Sequence, residues 1–185
     1  MKDYRYANRG QNLEHFIRYA NAVYQHQGIA VITKQPTEFI PLRNGYGQIT
    51  GCKVASKATV DFIGRVGSRP IAIEAKETKT TTIRFDRVED HQAAFMDDFT
   101  KDGAGEGLVL ISFNLNSFYA IPWAFWKAAR DAWIEAPKSK VTITHNGQTW
   151  TTPGKASVRE DELLPEWKVE TGGRTGLDYL APYIR

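Results

Sequence analysis

The 185-residue chain has a single cysteine, Cys52, so no disulfide can close within it. Its four histidines, His15, His26, His91 and His145, are scattered rather than set at metal-ligand spacing. A Cys/His zinc site and a histidine-centred catalytic triad therefore have no support, and a reducing, cytoplasmic setting fits. No apolar run approaches the roughly 18 residues a membrane span requires, and Met1 to Gly10 lacks the apolar stretch of a secretion signal. Neither secretion nor membrane insertion is expected. Charge of one sign is also scarce, because 24 Lys and Arg stand against 21 Asp and Glu, leaving +3. Internal repeats and low-complexity tracts are missing. What is present, 42% hydrophobic residues, suffices for one ordinary core, so a single domain over residues 1–185 is expected without help from disulfides or a structural metal.

The distribution of charge says more than its total. Between Lys34 and Lys57 lie four basic residues, Lys34, Arg43, Lys53 and Lys57, against one acid, Glu38, with Phe39 and Tyr46 among them. Such a composition suits a phosphate backbone, although solvated basic loops share it. The stretch from Thr37 to Ala58, with Asn44-Gly45-Tyr46-Gly47 near its middle, reads as two extended arms around a tip. It is longer than an ordinary connection and is expected to project as a functional element that engages DNA.

The chemistry concentrates just beyond it. Thr59-Val60-Asp61-Phe62, the turn Gly67-Ser68-Arg69-Pro70 and Ile71-Ala72-Ile73-Glu74-Ala75-Lys76 read as a β-hairpin. If residues 67 to 70 close it with Val66 opposite Ile71, Asp61 faces Lys76 and Ile63 faces Glu74. Asp61, Glu74 and Lys76 then share one face. Val60, Phe62, Val66, Ile71, Ile73 and Ala75 form the other, which is expected to be buried while the polar face stays open for chemistry. Diagonal neighbours lie about 7–8 Å apart at the backbone, so the two carboxylates can converge on one hard divalent cation. Such an ion lowers the pKa of a bound water and neutralises charge on a phosphate under attack, with the Lys76 ammonium placed to orient the water or to stabilise the pentavalent oxyanion. The bland alternative is a surface hairpin in which Lys76 pairs with Asp61 for roughly 0–1 kcal/mol. Glu-x-Lys alone does not separate the two, being common by chance.

Around this hairpin, Leu13, Phe16, Ile17, Ala20, Val23 and Tyr24 follow helical spacing, predicting a helix over residues 11–27 that Gly28 stops. Glu14 and Arg18 form an expected i, i+4 pair on it. A strand is expected from Ile29 to Thr33. A second helix is expected from Asp86, with Asp86 and Glu89 as a capping box and Val88, Gln92, Phe95, Met96 and Phe99 as its inward stripe. Gln92, a polar residue on that stripe, either bonds a buried backbone group or approaches the carboxylates. The cluster Gly103 to Gly107 precedes a strand, not a helix, which excludes a phosphate-binding glycine motif. Strands at Leu108 to Phe113 and Phe118 to Ile121, a helix from Pro122 to about Glu135 and an Asn146-Gly147 hairpin within a 137–155 insertion follow. Trp123, Phe125, Trp126 and Trp133 are expected in the core or a dimer interface, and a short helix is expected from Val158 to Leu164.

In this order the chain resembles the nuclease superfamily marked by an Asp followed by Glu-x-Lys, and within it the RecU-type Holliday junction resolvases. The matching residues are Asn8-Arg9-Gly10, Leu13-Glu14, Ile29-Ala30-Val31-Ile32, Lys34-Gln35-Pro36-Thr37, Val60-Asp61-Phe62, Ile73-Glu74-Ala75-Lys76-Glu77-Thr78, Asp90-His91-Gln92 and Leu177-Asp178-Tyr179. The resemblance implies an α/β, restriction-endonuclease-like core, with a mixed central sheet flanked by helices and a stalk at about 37–58. It implies a homodimer that binds four-way DNA junctions and makes paired symmetric nicks with Mg2+ or Mn2+. Asp61, Glu74 and Gln92 become the implied metal ligands, Lys76 the group that stabilises the transition state, and Glu14 a helix residue near the active site. Arg43, Lys53, Lys57 and Lys34 become the implied DNA contacts. Two features depart from the family: Val60 stands where threonine usually precedes the catalytic Asp, and the 137–155 insertion is additional. Two other readings remain, a nuclease of the same fold acting on duplex DNA and a junction-binding accessory protein that does not cut.

Overall fold

The computed structural model describes residues 11–56 and 58–184. Asn8-Arg9-Gly10 and Lys57 lie outside them. A five-stranded sheet runs through the centre in the order β1-β4-β5-β7-β8. Its strands are β1 (Ala30–Lys34), β4 (Phe62–Val66), β5 (Arg69–Thr78), β7 (Glu106–Phe113) and β8 (Ser117–Pro122). β5 and β7 pair in parallel and the other neighbours are antiparallel. Helix α1 (Gln11–His26) covers one face, while α2 (Asp90–Thr100) and α3 (Trp123–Glu135) cover the other. This is the mixed, helix-flanked α/β core that the sequence led one to expect.

Both faces of the sheet are therefore core. Leu13, Ile17, Ala20 and Tyr24 recur at helical spacing on α1 and pack on Phe62, Ile71, Ile73, Leu108 and Leu110. On the opposite face, Ala72, Val109, Ile111 and Ile121 meet Ala93, Met96, Trp123, Phe125 and Trp126. The expectation of one buried and one open hairpin face is corrected accordingly: strands flanked by helices on both sides are buried on both sides. Val60 also changes sides, joining the α2/α3 core, because residues 59–61 form a bend rather than continuing the alternation of β4. At Gly64, opposite Ile32, a Cβ would lie 2.0 Å from the Val31 carbonyl oxygen, so the close β1/β4 approach requires glycine.

The hairpin is tighter than expected. Gly67-Ser68 alone make the turn, Gly67 at φ 57°, and Val66 pairs with Arg69 rather than Ile71. The register is thus displaced by two residues, and because side chains alternate with period two, the displacement leaves every face assignment within the strands intact.

The 37–58 segment forms a separate two-stranded ribbon of β2 (Glu38–Arg43) and β3 (Ile49–Ser56), exposed along its length. Asn44 organises its tip, its side-chain oxygen accepting from the backbone N–H groups of Tyr46 and Gln48. The second hairpin is present as β9 (Thr142–His145) and β10 (Gln148–Thr151), with positive φ at Asn146 and Gly147 as its tight turn demands.

Two helix expectations are corrected. Asp86 does not begin a helix, since Arg84 binds its carboxylate and residues 85–87 make one 3-10 turn, after which α2 starts at Asp90. The Val158 to Leu164 segment is instead a strand, β11 (Ser157–Arg159), followed by a 3-10 turn. Val158 pairs with Ile83 of β6 (Thr82–Arg84), a partner too remote in sequence for local pattern to reveal. No helix among the described residues is long and apolar enough to cross a membrane.

Candidate active site

The sheet brings Asp61, Glu74, Lys76 and Gln92 together where β5 meets the start of α2. Extending the β4/β5 register by one residue sets Asp61 opposite Glu74. The Asp61 carboxylate accepts from the Ala75 backbone N–H at 2.8 Å, which fixes it across β5. Lys76 Nζ lies 2.5 Å from Glu74 Oε1, replacing the expected Lys76–Asp61 apposition.

Gln92 ties the helix to the strand. Its Nε2 donates to Glu74 Oε1 at 2.7 Å, while its Oε1 accepts from Lys76 Nζ at 3.3 Å and from the Glu89 backbone N–H at 3.0 Å. The last bond belongs to the capping box of α2, so one amide both starts the helix and anchors the acid and the ammonium. The sequence holds two overlapping boxes, Asp86 with Glu89 and Glu89 with Gln92. Only the second is used, and its spacing was the signal that could have placed Gln92 at this site.

Glu74 is 1% exposed. Burial, followed by the neighbouring Asp61 charge, pushes its carboxyl up to about 7, against the opposing pull of the Lys76 ammonium and the Lys76 and Gln92 hydrogen bonds. Both donors converge on Oε1. Oε2 is buried with no hydrogen-bond partner, an arrangement that costs free energy unless a cation or donor meets it. A divalent ion fits the carboxylates present: Glu74 Oε2 has no partner and Asp61 supplies a second carboxylate across the strand pair. Among the described residues no three His, Cys, Asp or Glu side chains gather closely enough to hold a metal.

The remaining candidates are dispersed. Glu14, on α1, forms an ion pair with Lys34 of β1 rather than with Arg18, because the helix packs its first turns over the end of that strand. Arg43 donates to the Gly47 carbonyl at the ribbon tip, and Lys53 lies exposed opposite Ile40. Val60, fully buried, occupies the position before Asp61 where the family pattern has threonine, and Thr59 is exposed. The late Leu177-Asp178-Tyr179 block is a fastener: Tyr24 donates to Asp178 at 2.7 Å and Tyr179 donates to Asn21, tying the C-terminal segment to α1.

The family model of Recombination protein U (RecU) matches residues 8–179. The Holliday junction resolvase RecU of Bacillus pumilus is 30% identical over 182 residues, spanning 95% of this chain and 80% of its own length. The protein of the same name from Staphylococcus saprophyticus is 32% identical over 146 residues, spanning 75% and 69%. A 1.6 Å structure of Archaeoglobus fulgidus Hjc, a Holliday junction resolvase, aligns with 80% of this chain at 10% identity and a TM-score of 0.39, a likeness too low to bear on function.

Proposed function

Since the chain belongs to the RecU family, we propose that it is a metal-dependent endonuclease that resolves four-way DNA junctions by paired symmetric nicks, acting as a homodimer. The observation that carries the reading is Glu74 Oε2 on β5, buried without a partner, with Asp61 across the strand pair and Lys76 on the other carboxylate oxygen. Asp61 and Glu74 would hold Mg2+ or Mn2+, with Gln92 the third proposed ligand. When bound, the ion would lower the pKa of a water and neutralise charge on the scissile phosphate.

The protein's own groups do the rest. Lys76, 13% exposed and held by Glu74 and Gln92, presents an oriented ammonium for the charge that builds on a phosphate oxygen. Gln92 keeps Lys76 and Glu74 in place, and Glu14, paired with Lys34, is the proposed contribution of α1. The projecting ribbon, with Arg43, Lys53 and Lys57, is the proposed arm that enters the junction. Paired nicks need two such sites, and each chain offers one, which is why the working unit is a dimer.

Asp61→Ala and Glu74→Ala should each abolish nicking of a synthetic four-way junction with Mg2+ while leaving junction binding in place. Undiminished nicking in both variants would remove the assigned site. Equal cutting of linear duplex and junction by the wild type would favour a duplex nuclease of the same fold.

A further inference from the structure

On the other face of the sheet from Glu74, a cleft of about 490 Å3 opens between α1 and β1. Arg18, Asn21 and Gln25 line it from one face of α1, Thr33 and Lys34 from β1, and Phe62 forms part of its wall. Asn21 is 6% exposed. Its carbonyl oxygen is taken by the Tyr179 hydroxyl, but its Nδ2 is buried and has no acceptor. Buried donors are almost always paired in folded proteins, so this one marks a place where an acceptor belongs.

The unpaired charge around it is cationic. Among the described residues Arg18 makes no ion pair, the expected partner Glu14 being engaged by Lys34 at the cleft edge, and no carboxylate forms part of the lining. An unpaired guanidinium fork and an amide donor facing one cavity select an anion, and the planar fork matches phosphate oxygens, while the Lys34 ammonium at the rim is already paired with Glu14. Position narrows the choice further. Phe62 directly follows Asp61, Lys34 pairs with Phe62, and β1 is the outer strand of the sheet, so no other strand separates the cleft from a DNA strand passing the site.

We propose that the Arg18–Asn21–Lys34 cleft seats a backbone phosphate of the bound DNA strand, beyond the phosphate that is cut. The proposal rests on the reading of the chain as a junction nuclease and adds to it a second grip, reached around the β1 edge. The Asn21 carbonyl stays on Tyr179 while its NH2 group donates to the phosphate, and Arg18 supplies the charge.

Two measurements test it on the full chain without added metal. In the first, the Asn21 side-chain NH2 resonances are followed by NMR while inorganic phosphate or a 5′-phosphorylated dinucleotide is added, with chloride at equal ionic strength as the reference. A saturable shift with both phosphate probes in the wild type, absent in Arg18→Ala, is expected. In the second, junction affinity is measured against salt. Arg18→Ala should raise Kd at least fivefold and flatten the log–log slope by about 0.9, the increment of one neutralised phosphate. Asn21→Asp, which retains the acceptor for Tyr179 but turns an anionic oxygen into the cleft, should weaken binding further. Because Asn21→Asp can also disturb folding, the Arg18 result decides. Wild-type Kd and slope in Arg18→Ala, or an Asn21 shift no different from that in chloride, overturns the phosphate seat even if the wild type nicks junctions normally. A wild type that shows the phosphate shift but binds no DNA overturns both the strand assignment and the nuclease reading.

Discussion

Glu74 combines two properties that pull in opposite directions, near-complete burial and a proposed role that needs its charge. Its folded-state value of about 7 lies above the 4.5 of an ordinary glutamate, so the folded chain holds this proton more tightly than the unfolded one. The stabilisation is complete below about pH 4.5 and lost as pH rises toward 7, by up to about 3 kcal/mol for a shift of this size. Glu74→Gln removes the titration. Thermal melts of metal-free protein from pH 4 to 8 should therefore show the wild type losing ground against the variant between about 4.5 and 7, and holding level above. Added Mg2+ at pH 7.5 should raise the wild-type Tm and leave the variant unmoved, since only a ligand that prefers the folded state shifts the melt. Parallel pH curves for the two proteins would contradict the burial argument. At this scale, alternation alone put Glu74 and Lys76 on one face. That Gln92 bonds both of them was decided by α2 packing against β5.

Among the elements, the β2/β3 ribbon stands out because it is exposed along both strands, with Phe39, Ile40, Leu42, Ile49 and Val54 all in solvent. A two-stranded ribbon in water is marginal by itself, so its persistence as a projection points to use rather than packing. If Arg43, Lys53 and Lys57 each meet a phosphate, replacing all three by Ala should flatten the log–log salt dependence of junction binding by about 0.9 for every phosphate no longer neutralised. A titration of labelled junction from low to moderate salt reads this directly, and an unchanged slope would take the ribbon off the DNA. The ribbon was legible from its turn residues and polarity. The β6/β11 pair was not, because Ile83 and Val158 are 75 positions apart and neither segment carries a complete pattern alone.

For the whole molecule, the proposed paired nicks require two chains. Light scattering on purified protein at micromolar concentration should give twice the 20.9 kDa chain mass, and a monomer that still nicks both strands symmetrically would contradict the dimer. Residue order and periodicity determined the hairpin with its carboxylates and lysine, the first helix and the second hairpin, because each is written in contacts between near neighbours or in strict alternation, while the α/β class and the ribbon's identification as a stalk followed from the family resemblance. The three-dimensional fold alone decided that both sheet faces are buried, that the hairpin turn takes two residues, that Gln92 caps α2 while gripping Glu74 and Lys76, and that Glu14 turns to Lys34 instead of Arg18. Those features come from segments far apart in the chain meeting in the core, where packing and desolvation, rather than local preference, choose each partner.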